Sequence, residues 1–214
     1  MTGGGLKRFV VGETAISNAS RPIKEKEAAL ALENEIEFTE LEVAFDGLSV
    51  IVNKSNDWIE CITTEELNSI WDQGSDINNW NQVRSDFPDV EMNLYGPGTD
   101  SGTFDYFTHV INGEEGKTRS DYTPSEDDNV LVMGVSGDKG SIGYFGYAYY
   151  IENADKLKIL SIDDGTGCIA PSEDTINDGT YSPLSRPMYI YVNNSELIKT
   201  VVYEFVKFYL ENGV

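Results

Sequence analysis

The sequence predicts an α/β fold in which helices alternate with strands and flank mixed or largely parallel sheets. Short apolar runs rich in β-branched and aromatic residues recur between charged, helix-like segments along all 214 residues. Two longer apolar stretches, Val43–Asn53 and Gly143–Ile151, bracket a middle segment that has its own helices and strands. Two passes of the chain between two lobes would explain this pattern. We therefore expect a discontinuous outer lobe, residues 1–46 and 149–214, and a continuous inner lobe, residues 47–148.

The elements of the first half follow from local patterns. A glycine loop, Thr2–Gly5, is expected to open a short helix, and a strand ends at Pro22, which cannot donate to a ladder. Continuous apolar character predicts a strand covered on both faces at Leu48–Asn53. Thr63 and Glu66 have the spacing of a capping box, which predicts a helix start. The predicted strands are Ala15–Ile23, Phe38–Phe45, Leu48–Asn53 and Val90–Gly96, and the predicted helices are Lys24–Glu35 and Thr63–Gln73.

The second half continues the alternation. The segment between residues 112 and 123 is expected to be a loop, and a turn-rich stretch leads to Tyr181. The predicted helices are Phe104–Asn112, Ser125–Gly137 with a cap at its start, and an amphipathic helix at Ser195–Gly213. The predicted strands are Ser141–Asn153, which is aromatic and strand-rich, Leu157–Ile162 and Pro187–Asn193.

The composition excludes several classes of partner. Because 37 acidic and 15 basic residues give a net charge of −22, nucleic acid and anionic membrane surfaces are not expected as partners. The acidity is typical of a solvated surface. We find neither an apolar stretch long enough for a membrane span nor a basic-then-apolar leader. Cys61 and Cys168 are compatible with two buried thiols or with one disulfide, and their spacing disfavours a zinc site.

The stretch LYGPGTDSGTFDYFTHV carries the strongest functional signal. A strand, a run of small polar residues and a helix place Ser101, Gly102 and Thr103 at a helix N-terminus. Such an end offers unpaired N–H groups and partial positive charge, so it favours an oxyanion. The two hydroxyls add donors, and Gly102 permits close approach to the backbone. The alternative is that Ser101 only caps its own helix.

Other residues point to the same chemistry. Ser20 and Arg21 follow a second strand, and a guanidinium fork fits the edge of a phosphate. Thr2 and Gly3 are a third candidate position. Asp100 is unexpected beside an anion. Either it pairs with Arg21, or it accepts a proton from the ligand, which would select a protonated oxyanion over sulfate.

Five stretches resemble the phosphate-binding subunit of high-affinity ABC phosphate importers, the PstS type. They are GETAISNASRPIKEKE, VAFDGLSVIVNKSNDW, LYGPGTDSGTFDYFT, GSIGYFGYAYY and TYSPLSRPMYIYV. The resemblance extends in order over nearly the whole chain. It implies a two-lobed type II periplasmic-binding-protein fold that closes on one phosphate ion, with no catalytic residue, cofactor or metal. It also implies export to the periplasm or cell surface and docking to membrane permease subunits, and we expect a monomer.

The resemblance assigns individual residues. Ser101, Gly102 and Thr103 match the phosphate loop of the family, and Ser20 and Arg21 match its second binding loop. In many relatives the arginine and the proton-accepting aspartate stand in the opposite loops, so Arg21 and Asp100 have exchanged places. Thr2 and Gly3 fall near a third loop.

Two departures from the family pattern affect what we expect. Relatives begin with an extra strand, loop and helix that would precede Met1, so we expect an incomplete outer lobe and weak or absent phosphate binding. Many relatives also have aspartate where Ala15 stands.

Two other functions compete with phosphate import. The first is a stand-alone phosphate scavenger or regulatory protein. The second is a serine hydrolase with Ser101 as nucleophile and His109 as base. Because these two residues would point apart on one helix, we expect His109 to be structural.

Overall fold

The structure is a computed structural model that describes residues 2–213, and helices alternate with strands along it. The predicted α/β class is confirmed. None of the helices within that range is long and apolar enough to cross a membrane. The helices are α1 Thr2–Phe9, α2 Glu25–Glu33, α3 Thr64–Trp71, α4 Trp80–Val83, α5 Gly102–Asn112, α6 Asp128–Gly137, α7 Tyr147–Glu152, α8 Glu173–Asn177 and α9 Thr200–Asn212, with a short 3-10 helix at Glu196–Ile198. The strands are β1 Ile16–Ala19, β2 Phe38–Asn53, β3 Cys61–Thr63, β4 Asn93–Pro97, β5 Thr123–Ser125, β6 Ser141–Gly146, β7 Leu157–Ile159, β8 Ser161–Asp163, β9 Cys168–Ile169 and β10 Ser185–Asn193.

The first of two compact units contains the residues up to Phe45 and those from Arg186 onward. In it, β10 lies between β1 and β2, and β1 pairs antiparallel with β10. Helix α1 buries Leu6 and Phe9 in a cluster that includes Tyr191 of β10. This packing brings the start of α1 beside the end of β1, where Ser20 follows.

The second unit, Asp46–Ser185, carries a mixed sheet. Strand β6 lies between β2 and β4, and β5 borders β4. The β2–β6 pair is antiparallel, whereas β4 runs parallel to both β6 and β5. The sheet is therefore mixed, which confirms the expected α/β fold with mixed or parallel sheets. A smaller sheet joins β3, β8 and β9.

The second boundary between the units lies after Ser185 and not after residue 148, where the sequence analysis placed it. Residues 149–185 pack with the second unit, not with the first. Strand β7 pairs with the end of β2, and β8 pairs with β3. The Tyr181 hydroxyl also donates to the carbonyl of Leu48 at 2.9 Å. These pairings join residues that are distant in sequence, so the pattern of local apolar runs does not predict them. That the units act as ligand-binding lobes stays a prediction.

One strand, β2, replaces the two that were predicted around Gly47. A β-carbon at Gly47 would lie only 2.4 Å from Cδ1 of Ile176, so the side chain of Ile176 occupies the space over this glycine. Glycine here serves close packing in a continuous strand, not a turn.

Three local expectations are corrected. Thr2–Gly5 forms the first turn of α1 instead of a loop, and Tyr147–Glu152 is helix instead of strand. Ser125 ends the unpredicted strand β5, and the cap of α6 is Asp127, whose side chain accepts from the Asn129 N–H. The predicted helix at Thr63 is confirmed, with both hydrogen bonds of its capping box.

The cysteines form a disulfide. The sulfurs of Cys61 and Cys168 are 2.05 Å apart, and the Cα atoms are 6.0 Å apart. Both lie in the second unit, on β3 and β9 of the smaller sheet.

Candidate functional site

The start of α5 has the geometry of a capped helix end. Ser101 is the N-cap, and its Oγ accepts a hydrogen bond from the Thr103 N–H at 3.1 Å. The Ser101 carbonyl accepts from the Asp105 N–H at 3.1 Å. Capping uses a lone pair of the hydroxyl and leaves its proton to be donated elsewhere. Ser101 thus caps its own helix, as the alternative predicted, and retains a donor for a ligand.

Aromatic packing fixes this helix within the second unit. Phe107 stacks on Tyr144 with ring centroids 3.7 Å apart, and Trp71 meets Phe107 edge-on at 5.7 Å. The Tyr106 hydroxyl lies 2.9 Å and 3.0 Å from the carbonyl oxygens of Pro183 and Ser185. The positive end of α5 is therefore held in place before any ligand arrives.

The residues Gly98–Ser101, here called the α5 loop, join β4 to α5. The N–H of Gly98 donates to the Ser125 carbonyl at 3.1 Å, and that of Ser101 to the Gly98 carbonyl at 3.1 Å. The N–H of Asp100 donates to Oε1 of Glu126 at 3.2 Å. The Asp100 residue is exposed, so its carboxylate is open to solvent in this unit.

A pocket of about 510 Å³ opens beside the α5 loop and is lined by Thr99, Phe104, Thr118, Arg119 and Glu126, among others. The guanidinium of Arg119 does not serve it as an anion donor. It is buried, and it forms two hydrogen bonds with Asp121, at 2.6 Å and 2.7 Å. It also donates to the carbonyls of Ile70 and Ile77. Arg119 therefore has a structural role.

In the first unit the start of α1 meets the end of β1. The hydroxyls of Thr2 and Ser20 are 3.0 Å apart, and the Ser20 N–H donates to Thr2 Oγ1 at 3.0 Å. A β-carbon at Gly3 would lie 3.9 Å from Nη2 of Arg21, so the guanidinium lies over the first turn of α1. Thr2, Gly3, Ser20 and Arg21, predicted from separate stretches, are thus neighbours.

The guanidinium of Arg21 pairs with Glu27, a residue that our sequence analysis missed. Nη1 and Nη2 each donate to one Glu27 oxygen at 2.9 Å. The same carboxylate accepts the Lys24 N–H at 2.9 Å, which caps α2. Burial raises the pKa of Glu27, but the hydrogen bonds from Arg21 and Lys24 outweigh it, so the pKa lies below its ordinary value. The sequence did contain a signal for this pair, because Glu27 is the third residue of a helix that begins shortly after Arg21.

The loop after Arg21 is held by Tyr191, which was also missed. The Ile23 N–H donates to the Tyr191 hydroxyl at 2.7 Å, and that hydroxyl donates to Glu40 at 2.6 Å. Burial and the bond to Glu40 raise the pKa of Tyr191. Because these partners are far apart in sequence, no local pattern announces them.

The predicted site residues therefore form two groups. Thr2, Gly3, Ser20 and Arg21 lie together in the first unit, and Asp100, Ser101, Gly102 and Thr103 lie together in the second. That both groups contact one ion stays a prediction.

The hydrolase arrangement lacks the required geometry. His109 is exposed and lies eight residues beyond Ser101 in the same helical segment. Eight residues advance a helix by about 12 Å, which is beyond hydrogen-bond reach of a nucleophile and its base. Among residues 2–213, no cluster of three or more His, Cys, Asp or Glu side chains could hold a metal ion.

Comparison with known proteins gives a family match over almost the whole chain. The profile of the PBP superfamily domain matches residues 1–212. Protein SphX of a Synechocystis species is 48% identical over 215 residues, which is 99% of this chain and 64% of that protein. Phosphate-binding protein PstS of Staphylococcus aureus is 38% identical over 99% of this chain and 63% of that protein. The chain thus spans less than two thirds of the length of these relatives.

Solved structures agree with the fold. A crystal structure from Planctomyces limnophilus, described as a possible phosphate binding protein, has a TM-score of 0.85 at 49% identity, covering 99% of this chain and 75% of that one. An ABC-type phosphate transport receptor from Vibrio cholerae has a TM-score of 0.78 at 24% identity, covering 97% and 78% of the two chains, and supports the fold alone. The resemblance inferred from the sequence is confirmed.

Proposed function

Because the chain belongs to the PBP superfamily, we propose that it binds inorganic phosphate without catalysing a reaction, using Arg21 and the start of α5. We further propose that the protein works outside the cytoplasm and delivers phosphate to the permease subunits of an ABC importer. The names of its relatives support phosphate as the ligand, and the family resemblance supports the transporter.

The start of α5 is the observation that carries this proposal. A capped helix, fixed by aromatic packing, carries the hydroxyls of Ser101 and Thr103 at its positive end. These donors suit a tetrahedral oxyanion, and they need no net positive charge on the protein.

The nearby carboxylate of Asp100 provides selectivity. Hydrogen phosphate can donate its proton to a carboxylate, whereas sulfate has no proton to give. An unpaired contact between a carboxylate and sulfate would be repulsive, so phosphate is favoured.

Calorimetric titration with phosphate, arsenate, sulfate and molybdate tests the proposal. We expect saturable binding of phosphate and arsenate and far weaker binding of sulfate. In Asp100→Asn, the difference between the affinities for phosphate and sulfate should be smaller. Protein concentrations should suit a weak complex. No saturable heat with phosphate up to about 10 mM, a range that covers even weak specific complexes, would overturn the proposal.

A matched pair of variants tests the role of the Ser101 hydroxyl separately from capping. Glycine is tolerated at an N-cap at a cost of only a few tenths of a kcal/mol, so Ser101→Gly removes the hydroxyl and spares the helix. We expect roughly tenfold weaker phosphate binding, as for loss of a hydrogen bond to a charged group. Ser172→Gly, at the N-cap of α8, is the control and should bind like the wild type.

A further inference from the structure

Hydrogen bonds connect the α5 loop to the end of β5 and to the residue that follows it. The parallel β4–β5 ladder ends with Pro97 opposite Ser125. Beyond that pair, the Gly98 N–H still donates to the Ser125 carbonyl at 3.1 Å. The next acceptor along the loop is a side chain and not a backbone carbonyl, since Oε1 of Glu126 accepts the Asp100 N–H at 3.2 Å. The ladder is thus extended by one carboxylate oxygen into the loop.

Gly98 and Glu126 are sterically matched. A β-carbon at position 98 would lie 2.0 Å from Oε1 and 2.7 Å from Cδ of Glu126. Only a residue without a side chain therefore lets the carboxylate reach over the loop to the Asp100 N–H. The φ of Gly98 is not in the left-handed region, so a side chain at this position would conflict with the Glu126 carboxylate and not with the backbone conformation.

Glu126 itself stands on a fixed support. The Ser125 hydroxyl accepts the Asp127 N–H at 3.0 Å and lies 3.0 Å from the Asp127 carbonyl oxygen. Asp127 then caps α6 by accepting the Asn129 N–H at 3.0 Å. Glu126 lies between β5 and the N-cap of α6, so its backbone is fixed at both ends. Its carboxylate can therefore hold the α5 loop at a set position relative to these two elements.

The charge of Glu126 points to a geometric role. A carboxylate beside an anion-binding helix end opposes the anion by Coulomb repulsion. What Glu126 supplies is an acceptor for a backbone N–H. Holding that N–H keeps the loop from rearranging, so the hydroxyl donors of Ser101 and Thr103 stay arranged for one ligand geometry.

We infer that Glu126 is a positioning residue for anion binding: it accepts the Asp100 N–H and thereby fixes the α5 loop at the start of α5. The inference rests on the proposed function, since it concerns the same bound phosphate. It does not place Glu126 in contact with the ion.

Two substitutions at Glu126 separate the acceptor from the charge. Glu126→Gln retains a carbonyl oxygen that accepts the Asp100 N–H, whereas Glu126→Ala removes the acceptor. We expect Glu126→Ala to weaken phosphate binding about fivefold, the effect of losing one exposed hydrogen bond, and Glu126→Gln to stay within about twofold of the wild type. Glu114→Ala, which removes an exposed carboxylate from the same unit, is the control and should leave affinity unchanged.

Hydrogen exchange of the Asp100 amide in the ligand-free protein is the second measurement. Protection should fall in Glu126→Ala and persist in Glu126→Gln. Equal loss of affinity in both variants, a gain of affinity in Glu126→Ala, or unchanged Asp100 protection in Glu126→Ala would each overturn the inference. If the wild type shows no phosphate binding while its Asp100 protection depends on Glu126, the proposed function fails and the contact is supported.

Discussion

Arg21 forms an ion pair with Glu27 and is also the residue proposed to contact the anion. Glu27 holds both of its terminal nitrogens, and the side chains of Arg21 and Glu27 are only 21% and 19% exposed. The pair reduces the positive charge that an anion would meet, but it also fixes the plane of the guanidinium. For a ligand recognised by geometry, a fixed fork loses less conformational entropy on binding than a mobile one.

Replacing Glu27 by alanine should therefore weaken phosphate binding although it removes a negative charge. We expect roughly tenfold lower affinity, because Arg21 loses its orientation. The free energy of unfolding should fall by about 1–2 kcal/mol with the loss of the α2 cap. Calorimetry and denaturant unfolding measure the two effects. Glu25→Ala, an exposed acid in the same turn, should change neither. Tighter binding by Glu27→Ala would show that charge outweighs geometry.

The Arg21–Glu27 pair also makes stability depend on pH. The folded pKa of Glu27 is depressed, so its contribution is fully present above the ordinary glutamate pKa of about 4.3 and is lost as the pH falls through the lower, folded value. Between neutral pH and strongly acidic pH, the wild type should lose more stability than Glu27→Gln. Parallel losses in denaturant titrations at each pH would contradict this assignment.

At the scale of the element, caps determine where helices begin. Thr63 accepts the Glu66 N–H at 3.1 Å, and Glu66 accepts the Thr63 N–H at 2.9 Å. Glu66 also receives two hydrogen bonds from Arg84, at 2.6 Å and 2.7 Å, so one carboxylate joins the start of α3 to the end of α4.

Thr63→Ala should lower the free energy of unfolding by about 1 kcal/mol, because an N-cap acceptor is lost. Thr64→Ala, one position into the helix, is the matched control and should have less than half that effect. Urea denaturation gives both values. Equal destabilisation by the two variants would mean that the cap contributes nothing.

The disulfide is the strongest link between distant elements of the second unit. It joins β3 to β9 across 107 positions of sequence. A crosslink that closes so long a loop restricts the unfolded chain, so the Cys61→Ser, Cys168→Ser double variant should be less stable by about 4 kcal/mol. Reductant should lower wild-type stability to that of the variant and leave the variant unchanged. A wild type insensitive to a strong reductant would contradict this expectation.

At the scale of the whole molecule, the net charge of −22 opposes an approaching anion. Screening reduces this repulsion, because the Debye length falls from about 30 Å at 0.01 M salt to about 8 Å at 0.15 M. Inside the site, short-range donors act over a few ångströms and are much less affected.

The association rate constant for phosphate should therefore rise severalfold between about 0.01 M and about 0.15 M salt. The dissociation rate constant should change less and serves as the internal control. Stopped-flow fluorescence is a suitable measurement, since the protein has 3 tryptophans. An association rate that falls with salt would indicate a locally positive entrance to the site.

Several features followed from the sequence by itself because they depend on neighbouring residues. The alternation of helices and strands, the capping box of α3 and the helix start at Ser101 were all predicted and are confirmed. Each rests on hydrogen bonds or packing periods within a few positions. The five stretches of family resemblance likewise needed only the linear order of residues.

Only the tertiary structure decided which distant groups meet. Glu126 could not be recognised from the sequence as the acceptor of the Asp100 N–H, and the Cys61–Cys168 bond stayed one of two alternatives. The assignment of residues 149–185 to the second unit likewise depends on strand pairs with β2 and β3. Such contacts arise from the folded path of the chain, and no short-range pattern in the sequence encodes them. Local chemistry thus determined where an anion could be bound, and long-range packing determined which residues hold that chemistry in place.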